Sequence, residues 1–123
     1  MNSDAGVYIA VFYMPMEQII RIGRLGSFRF REGVYFYIGS AQRNLSTRLK
    51  RHNSNNKILR WHIDYLSVRS KMLGAITIPG QRELECKLAK KLSSMFEPSI
   101  PGFGASDCRC NGHLFYVKEL AKI

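Results

Sequence analysis

Val7-Tyr-Ile-Ala-Val-Phe-Tyr-Met14 is a run of β-branched and aromatic residues with almost no polar interruption, and it ends at Pro15. Runs of this kind are typical of a strand that is buried on both faces. A second run of the same character, Val34-Tyr-Phe-Tyr-Ile-Gly39, stops in Ser40-Ala41. We therefore expect a sheet whose central strands come from the first third of the chain.

The residues between these two runs alternate between apolar and basic side chains. Ile20 and Ile22 flank Arg21, and the pattern returns in Phe28-Arg-Phe-Arg31. Alternation with a period of two predicts a hairpin with one face in solvent, and Gly26-Ser27 is the expected turn. The first third of the chain therefore holds three or four antiparallel strands.

Helical spacing of apolar residues predicts three helices in the rest of the chain. Asn44 is the expected N-cap of the first, which carries basic residues in its C-terminal half, where the helix dipole favours cations. The second is expected to begin at Ile58 or Leu59, and the third spans about Arg82 to Met95. Strands are expected at Met72 to Ile78 and at His113 to Val117.

The length and the net charge of the chain restrict the class of protein to which it can belong. With 123 residues, 46% of them hydrophobic, residues 1–123 are expected to form one domain with one core. Nineteen Lys and Arg against nine Asp and Glu give a net charge of +10. This bias attracts polyanions, so nucleic acid or an anionic membrane is the expected kind of partner.

Three features argue for an intracellular, cytoplasmic protein without a membrane segment. The longest apolar run is far shorter than the ~20 residues of a membrane-spanning helix. It also lacks the basic flank and cleavage site of a signal peptide. An odd set of three cysteines argues against a secreted disulfide scaffold. The oligomeric state is left open.

The segment 97–112 has no helical or strand period and contains Cys108 and Cys110. With His113 and with Cys86 or His62, these cysteines have the right atoms for a tetrahedral zinc site. Their spacing does not match the usual gap between zinc cysteines, so buried thiols are the alternative. A long loop of this kind in a compact domain usually carries function or disorder.

Glu85 lies on the apolar side of the third predicted helix. It shares a stripe with Leu88, Ala89, Leu92 and Phe96. A carboxylate in that position needs a cation, a metal ion or a proton. A salt bridge to one of the basic side chains is the structural interpretation, and a metal site is the functional one.

Two short motifs, Gly6-Val7-Tyr8 and Tyr37-Ile38-Gly39, lie on adjacent predicted strands. Arg48-Leu49, His52 and Glu85 follow in order, and together these motifs resemble the GIY-YIG nuclease superfamily. The resemblance implies a small α/β domain of the α+β type, with a central antiparallel sheet flanked by helices. The further motifs Trp61-His-Ile-Asp-Tyr-Leu66 and Phe103-Gly-Ala-Ser-Asp-Cys108 look like a largely uncharacterised branch that is sometimes fused to endonuclease III.

The resemblance also implies roles for single residues. Tyr8 and Tyr37 match the paired tyrosines, one of which helps to deprotonate the attacking water, and Arg48 matches the arginine that steadies the scissile phosphate. His52 matches a histidine found in some members, and Glu85 matches the carboxylate that holds a single divalent metal ion, Mg²⁺ or Mn²⁺. The implied function is a metal-dependent DNA endonuclease, linked to repair and to a DNA glycosylase. The alternative is a DNA-binding module that kept the fold and the basic face without cleavage.

This sequence departs from the family pattern in three places. The two motif tyrosines lie further apart than in the family's usual short hairpin, which makes residues 15–32 an insertion. Tyr35 competes with Tyr8 as the first tyrosine, and Tyr8 is preferred because Tyr35 and Tyr37 share a strand. The family's late asparagine is not assignable to Asn111. The candidate phosphate contacts of the insertion and the first helix are Arg21, Arg24, Arg29, Arg31, Lys50 and Arg51.

Overall fold

Seven strands and three α-helices form the described part of the computed structural model, which covers residues 4–98, 100–103 and 112–118. The strands are β1 (Gly6–Met14), β2 (Gln18–Ile22), β3 (Gly26–Phe30), β4 (Gly33–Ala41), β5 (Lys71–Ile78), β6 (Glu97–Pro98) and β7 (Leu114–Val117). The helices are α1 (Leu45–Asn53), α2 (His62–Ser67) and α3 (Arg82–Ser93). This is the α+β class that the sequence predicts.

The central sheet has five antiparallel strands in the order β5-β1-β4-β7-β6. β1 pairs with β4 along its whole length, from Gly6 opposite Ala41 to Met14 opposite Gly33. The two apolar runs of the first third of the chain are therefore neighbouring strands near the middle of the sheet. The hairpin β2–β3 forms a separate two-stranded sheet.

Both faces of the central sheet are covered, which explains why β1 carries so few polar residues. On one face Tyr8, Ala10 and Phe12 pack with the hairpin, α1 and α2. On the other face Val7, Ile9 and Val11 pack with the apolar side of α3. Within the described ranges, no helix combines the length and the apolar character needed to cross a membrane.

The hairpin turn differs from the sequence prediction, and the end of β4 agrees with it. The hairpin turns through a short 3-10 segment at Gly23–Leu25, so the turn predicted at Gly26-Ser27 was wrong. Gly23 adopts a φ of 48°, a left-handed conformation that glycine takes without strain, and this sets the turn before Gly26. β4 ends at Ala41, within the Ser40-Ala41 stop that the sequence predicts, and β1 pairs with it to that point.

One helix start also differs. α2 begins at His62, so the start predicted at Ile58 or Leu59 was wrong, and Ile58 is 80% exposed. The Asp64 carboxylate accepts the backbone N–H groups of residues 60 and 61, which fixes the first turn at this point.

Asn44 precedes α1 as predicted, but it adopts a left-handed conformation and its side chain makes no capping hydrogen bond. Asp4 caps the helix instead. Its Oδ1 accepts the Ser46 N–H at 2.8 Å, and its backbone carbonyl accepts the Leu45 N–H.

The segment 97–112 is only partly within the described residues. Glu97–Pro98 forms β6 against β7, a strand that the sequence did not predict. Ile100 and Phe103 are buried, at 4% and 0% exposure. Cys108, Cys110 and Asn111 lie outside the described residues, so the predictions made for them stay predictions.

Candidate functional site

A pocket of about 600 Å³ opens at the end of the central sheet where β4 finishes. β7 pairs with β4 only as far as Leu114 opposite Tyr37, followed by one hydrogen bond from Ile38 N–H to the His113 carbonyl. Among the described residues, the last part of β4 has no partner on that side. Side chains from both faces of the sheet can therefore meet there.

Tyr8 and His52 form the buried contact at this pocket. Tyr8 lies opposite Gly39 on the neighbouring strand, and a Cβ at Gly39 would overlap the Tyr8 phenol ring, so only glycine leaves room for it. Tyr8 Oη and His52 Nε2 lie 2.7 Å apart, within hydrogen-bonding distance. Both residues are 1% exposed.

Burial sets the protonation of this pair. It raises the pKa of Tyr8 well above its ordinary value, although the nearby Arg48 opposes the effect. It lowers the pKa of His52 to about 4, and the neighbouring charge of Lys57 adds to that lowering. At neutral pH the phenol is therefore protonated and the imidazole is neutral. Among the described residues, no group hydrogen-bonds to His52 Nδ1.

Tyr37 and Arg48 complete this side of the pocket. The Tyr37 ring centroid lies 6.3 Å from that of Tyr8, and burial raises the pKa of the Tyr37 hydroxyl well above its ordinary value. Arg48, on α1, donates from Nη1 to the carbonyl oxygen of Ser40. Its guanidinium carbon lies 4.8 Å from the ring centroid of Trp61. These contacts hold a cation beside the two phenols.

Glu85 reaches the pocket from α3, on the opposite face of the sheet. Its Oε1 accepts a hydrogen bond of 2.6 Å from Ser40 Oγ, and its Oε2 lies 2.7 Å from His113 Nδ1. Burial alone would raise the pKa of Glu85, but the hydrogen bonds from His113 and Ser40 outweigh it, and the pKa lies below its ordinary value. The carboxylate is thus ionised at neutral pH, with a hydroxyl and an imidazole as its partners.

The structure brings together most of the residues that the resemblance singled out. Tyr8, Tyr37, Arg48 and Glu85 line the pocket, and His52 lies behind Tyr8. Tyr35 lies elsewhere, donating to the Arg31 carbonyl and packing against Tyr116.

Only some of the predicted zinc ligands lie within the described residues. Cys86 and His113 line the same pocket. The described part of the chain contains no group of three or more side chains placed to hold a metal ion. Cys108 and Cys110 lie outside that part.

The predicted phosphate contacts do not line the pocket. The hairpin leaves the sheet at Met14 and Gly33, the opposite ends of β1 and β4 from the pocket. Arg31 pairs with Glu97, and Arg51 donates to Asp64 Oδ2 at 2.6 Å. The exposed side chains of this predicted set are Arg21, Arg24, Arg29, Arg31 and Lys50.

Several lining residues were missed by the sequence argument. They lie near the end of β4, directly before α2 or at the start of α3, and they meet only through the tertiary fold. The available signals were the position of Ser40 directly after Tyr37-Ile-Gly39 and the position of Trp61 at the head of the motif Trp61-His-Ile-Asp-Tyr-Leu66. The missed residues are Ser40, Arg60, Trp61, Arg82 and Glu83.

Comparison with known proteins gives one match. A family model described as "Domain of unknown function DUF123" matches residues 7–123. No curated protein and no solved structure matches the chain. Because the family model spans nearly the whole sequence, the protein belongs to the DUF123 family.

Proposed function

We propose that this protein is a metal-dependent nucleic-acid phosphodiesterase of the GIY-YIG type, with DNA as the favoured substrate. One observation carries the proposal: Tyr8, Tyr37, Arg48 and Glu85 line a single pocket. They come from β1, β4, α1 and α3, and they are the residues to which the family resemblance gives chemical roles. The suggested link to repair and to a DNA glycosylase rests on the same resemblance.

The Tyr8–His52 pair supplies a route for the proton of an attacking water. In the tautomer with its hydrogen on Nδ1, neutral His52 accepts the Tyr8 hydroxyl hydrogen at Nε2 over the observed 2.7 Å. The lone pairs of Tyr8 Oη then remain to accept a proton from water in the pocket. As the water oxygen bonds to phosphorus, its proton passes to Tyr8 and the phenol proton passes to His52.

Arg48 supplies the positive charge that binds the phosphate. It lines the pocket beside both phenols, where a guanidinium can donate two hydrogen bonds to phosphate oxygens. Charge develops on these oxygens as the phosphorus–oxygen bond forms, and a fixed cation stabilises it without reorganisation.

Glu85 fits the role of a carboxylate ligand to Mg²⁺ or Mn²⁺. Each of its oxygens has one partner, Ser40 or His113, so lone pairs remain for a cation. Mg²⁺ is commonly held by one or two carboxylates, several waters and the substrate phosphates, so one carboxylate at the pocket is enough. When bound, the ion would stabilise the charge on the leaving oxygen.

A non-catalytic DNA-binding module is the second candidate. The observation in its favour is that Ser40 and His113 already contact both oxygens of Glu85. The carboxylate could therefore serve to join α3 to β4 and β7. In that case the pocket binds a phosphate and does not cleave.

Glu85→Gln separates the two candidates. The substitution keeps the size and the hydrogen-bonding capacity but removes the charge, so cleavage should fall by about 10²-fold or more while DNA binding survives. Cleavage is measured on single-stranded, duplex, nicked and branched DNA, each with Mg²⁺, with Mn²⁺, or with a chelator. Glu17→Gln, the same change at an exposed residue directly before β2, is the matched control and should cleave like the wild type.

Each outcome has a distinct meaning. Loss of cleavage with an unchanged melting temperature supports the metal ligand. A lower melting temperature with unchanged cleavage would assign Glu85 a structural role. If the wild-type protein binds DNA but cleaves none of these substrates with either ion, the binding module is the function.

A further inference from the structure

Trp61 is the one tryptophan of the chain, and it lies at the mouth of the pocket. It directly precedes α2 and is 38% exposed, whereas Tyr8 and Tyr37 deeper in the same pocket are 1% and 9% exposed. A large aromatic ring that is partly exposed beside a polar cleft is a feature that commonly marks recognition.

The Trp61 ring is held in place by its neighbours. Its backbone N–H donates to the buried carboxylate of Asp64 at 2.9 Å. The guanidinium carbons of Arg48 and Arg51 each lie over the ring at 4.8 Å from its centroid, and the His52 ring meets it edge-on at 6.1 Å. The 38% of Trp61 that stays exposed is the surface left for a ligand. A ring fixed in this way loses little conformational freedom when a flat ligand packs on it.

The pocket wall carries cations that can hold a phosphate. Arg48, Arg60 and Arg82 line the cavity of about 600 Å³ together with Trp61. A base that is paired and stacked in a duplex has no free face to offer to the Trp61 ring, whereas an unpaired base has one.

We propose that Trp61 stacks on an unpaired base next to the phosphate held by Arg48, so that the preferred ligand is single-stranded or locally unpaired nucleic acid. This inference rests on the proposed function and names its substrate class. Stacking on aromatic side chains is the general way in which proteins hold unpaired bases, and it tolerates any base because every base has a flat face.

The single tryptophan makes the test direct. Wild-type protein is titrated in EDTA and low salt with a six-nucleotide thymidine strand, and separately with a strand of the same length and charge built from abasic sites. Trp61 fluorescence is recorded. We expect the thymidine strand to quench the fluorescence and to bind about tenfold or more tightly than the abasic strand. A duplex long enough to stay fully paired in low salt should quench far less.

Variants identify the residue that reads the base. Trp61→Leu removes the ring and should reduce affinity for fluorescently labelled thymidine strand about tenfold, leaving affinity for the abasic strand unchanged. Trp61→Phe should retain part of the preference. Ile58→Ser changes an exposed apolar residue of the same segment outside the pocket, and it should behave like the wild type.

The outcomes distinguish this inference from the function on which it rests. Equal binding of both strands, without quenching, overturns the stacking and leaves the phosphodiesterase intact. Binding of neither strand overturns both. Because the wild-type fluorescence measurement needs no substitution, the result does not depend on whether Trp61→Leu folds.

Discussion

The two hydroxyls of the site differ in what they contact. Tyr8 Oη is hydrogen-bonded to buried His52 Nε2, whereas the Tyr37 hydroxyl has no such bond to any described residue. Tyr8→Phe leaves both ring nitrogens of His52 without a partner and should cost about 1–3 kcal/mol of unfolding free energy. Tyr37→Phe should cost less than about 1 kcal/mol. Urea denaturation measures both, and equal costs would contradict the contact seen here.

His52 should make stability depend on pH. Burial first, and then the charge of Lys57, lower its pKa from 6.5 to about 4, so the folded state binds this proton less readily than the unfolded state. The stabilising effect is full above pH 6.5 and is lost as the pH falls towards 4. The loss amounts to about 3 kcal/mol.

The comparison that isolates this effect is between the wild type and His52→Gln. Denaturation at pH 7, 6, 5 and 4 gives the free energy of unfolding of each protein. The difference between the two proteins should shrink as the pH falls, because the wild type loses the contribution of His52 and glutamine does not titrate. A constant difference in the free energy of unfolding from pH 7 to pH 4 would show that His52 does not cause the pH dependence.

At the scale of elements, one buried carboxylate joins α1 to α2. Asp64 is 0% exposed, and its Oδ2 accepts hydrogen bonds from Arg51 Nη2 and from the backbone N–H groups of residues 60 and 61. Lys57 Nζ, whose side chain is 4% exposed, lies 3.9 Å from Oδ1. Removing one partner of a buried pair leaves the other charge uncompensated.

Asp64→Ala should therefore destabilise the protein by about 3–5 kcal/mol. The matched control is Glu17→Ala, which removes an exposed carboxylate 3.9 Å from Arg29 and should cost less than about 1 kcal/mol. Chemical denaturation of both variants gives the two values. If Asp64→Ala cost no more than Glu17→Ala, the junction would not depend on this carboxylate.

The same elements show what the sequence could and could not predict. β1 and β4 were predictable because burial on both faces leaves an unbroken apolar pattern, and the tyrosine motifs then placed Tyr8 and Tyr37 side by side. The start of α2 and the cap of α1 were not, because Asp64 acts through a folded turn and Asp4 lies far from α1 in sequence. The position of Trp61 in the pocket was also not predictable, because it depends on tertiary packing.

At the scale of the whole molecule, the distribution of charge matters more than its sum. The net charge of +10 gives a field that attracts any polyanion. The pocket contributes Arg48, Arg60 and Arg82 at one end of the sheet. On the hairpin, Arg31 pairs with Glu97, and Arg29 lies 3.9 Å from Glu17. The two hairpin arginines therefore lie outside the pocket and close to acidic side chains.

Salt dependence should reveal this distribution. With about five to seven phosphate contacts, the logarithm of duplex affinity should fall with the logarithm of salt concentration at a slope of about −4 to −6, because each contact releases close to 0.9 of a counterion. Replacing both Arg60 and Arg82 with glutamine should make the slope less negative by about 2. Replacing both Arg29 and Arg31, an identical change of charge, should alter it by less than about 1, because neither residue lines the pocket. Fluorescence anisotropy at several salt concentrations measures all three slopes.

A larger effect from the Arg29 and Arg31 substitutions would place the nucleic acid on the hairpin. An affinity that does not depend on salt would exclude nucleic acid as the partner.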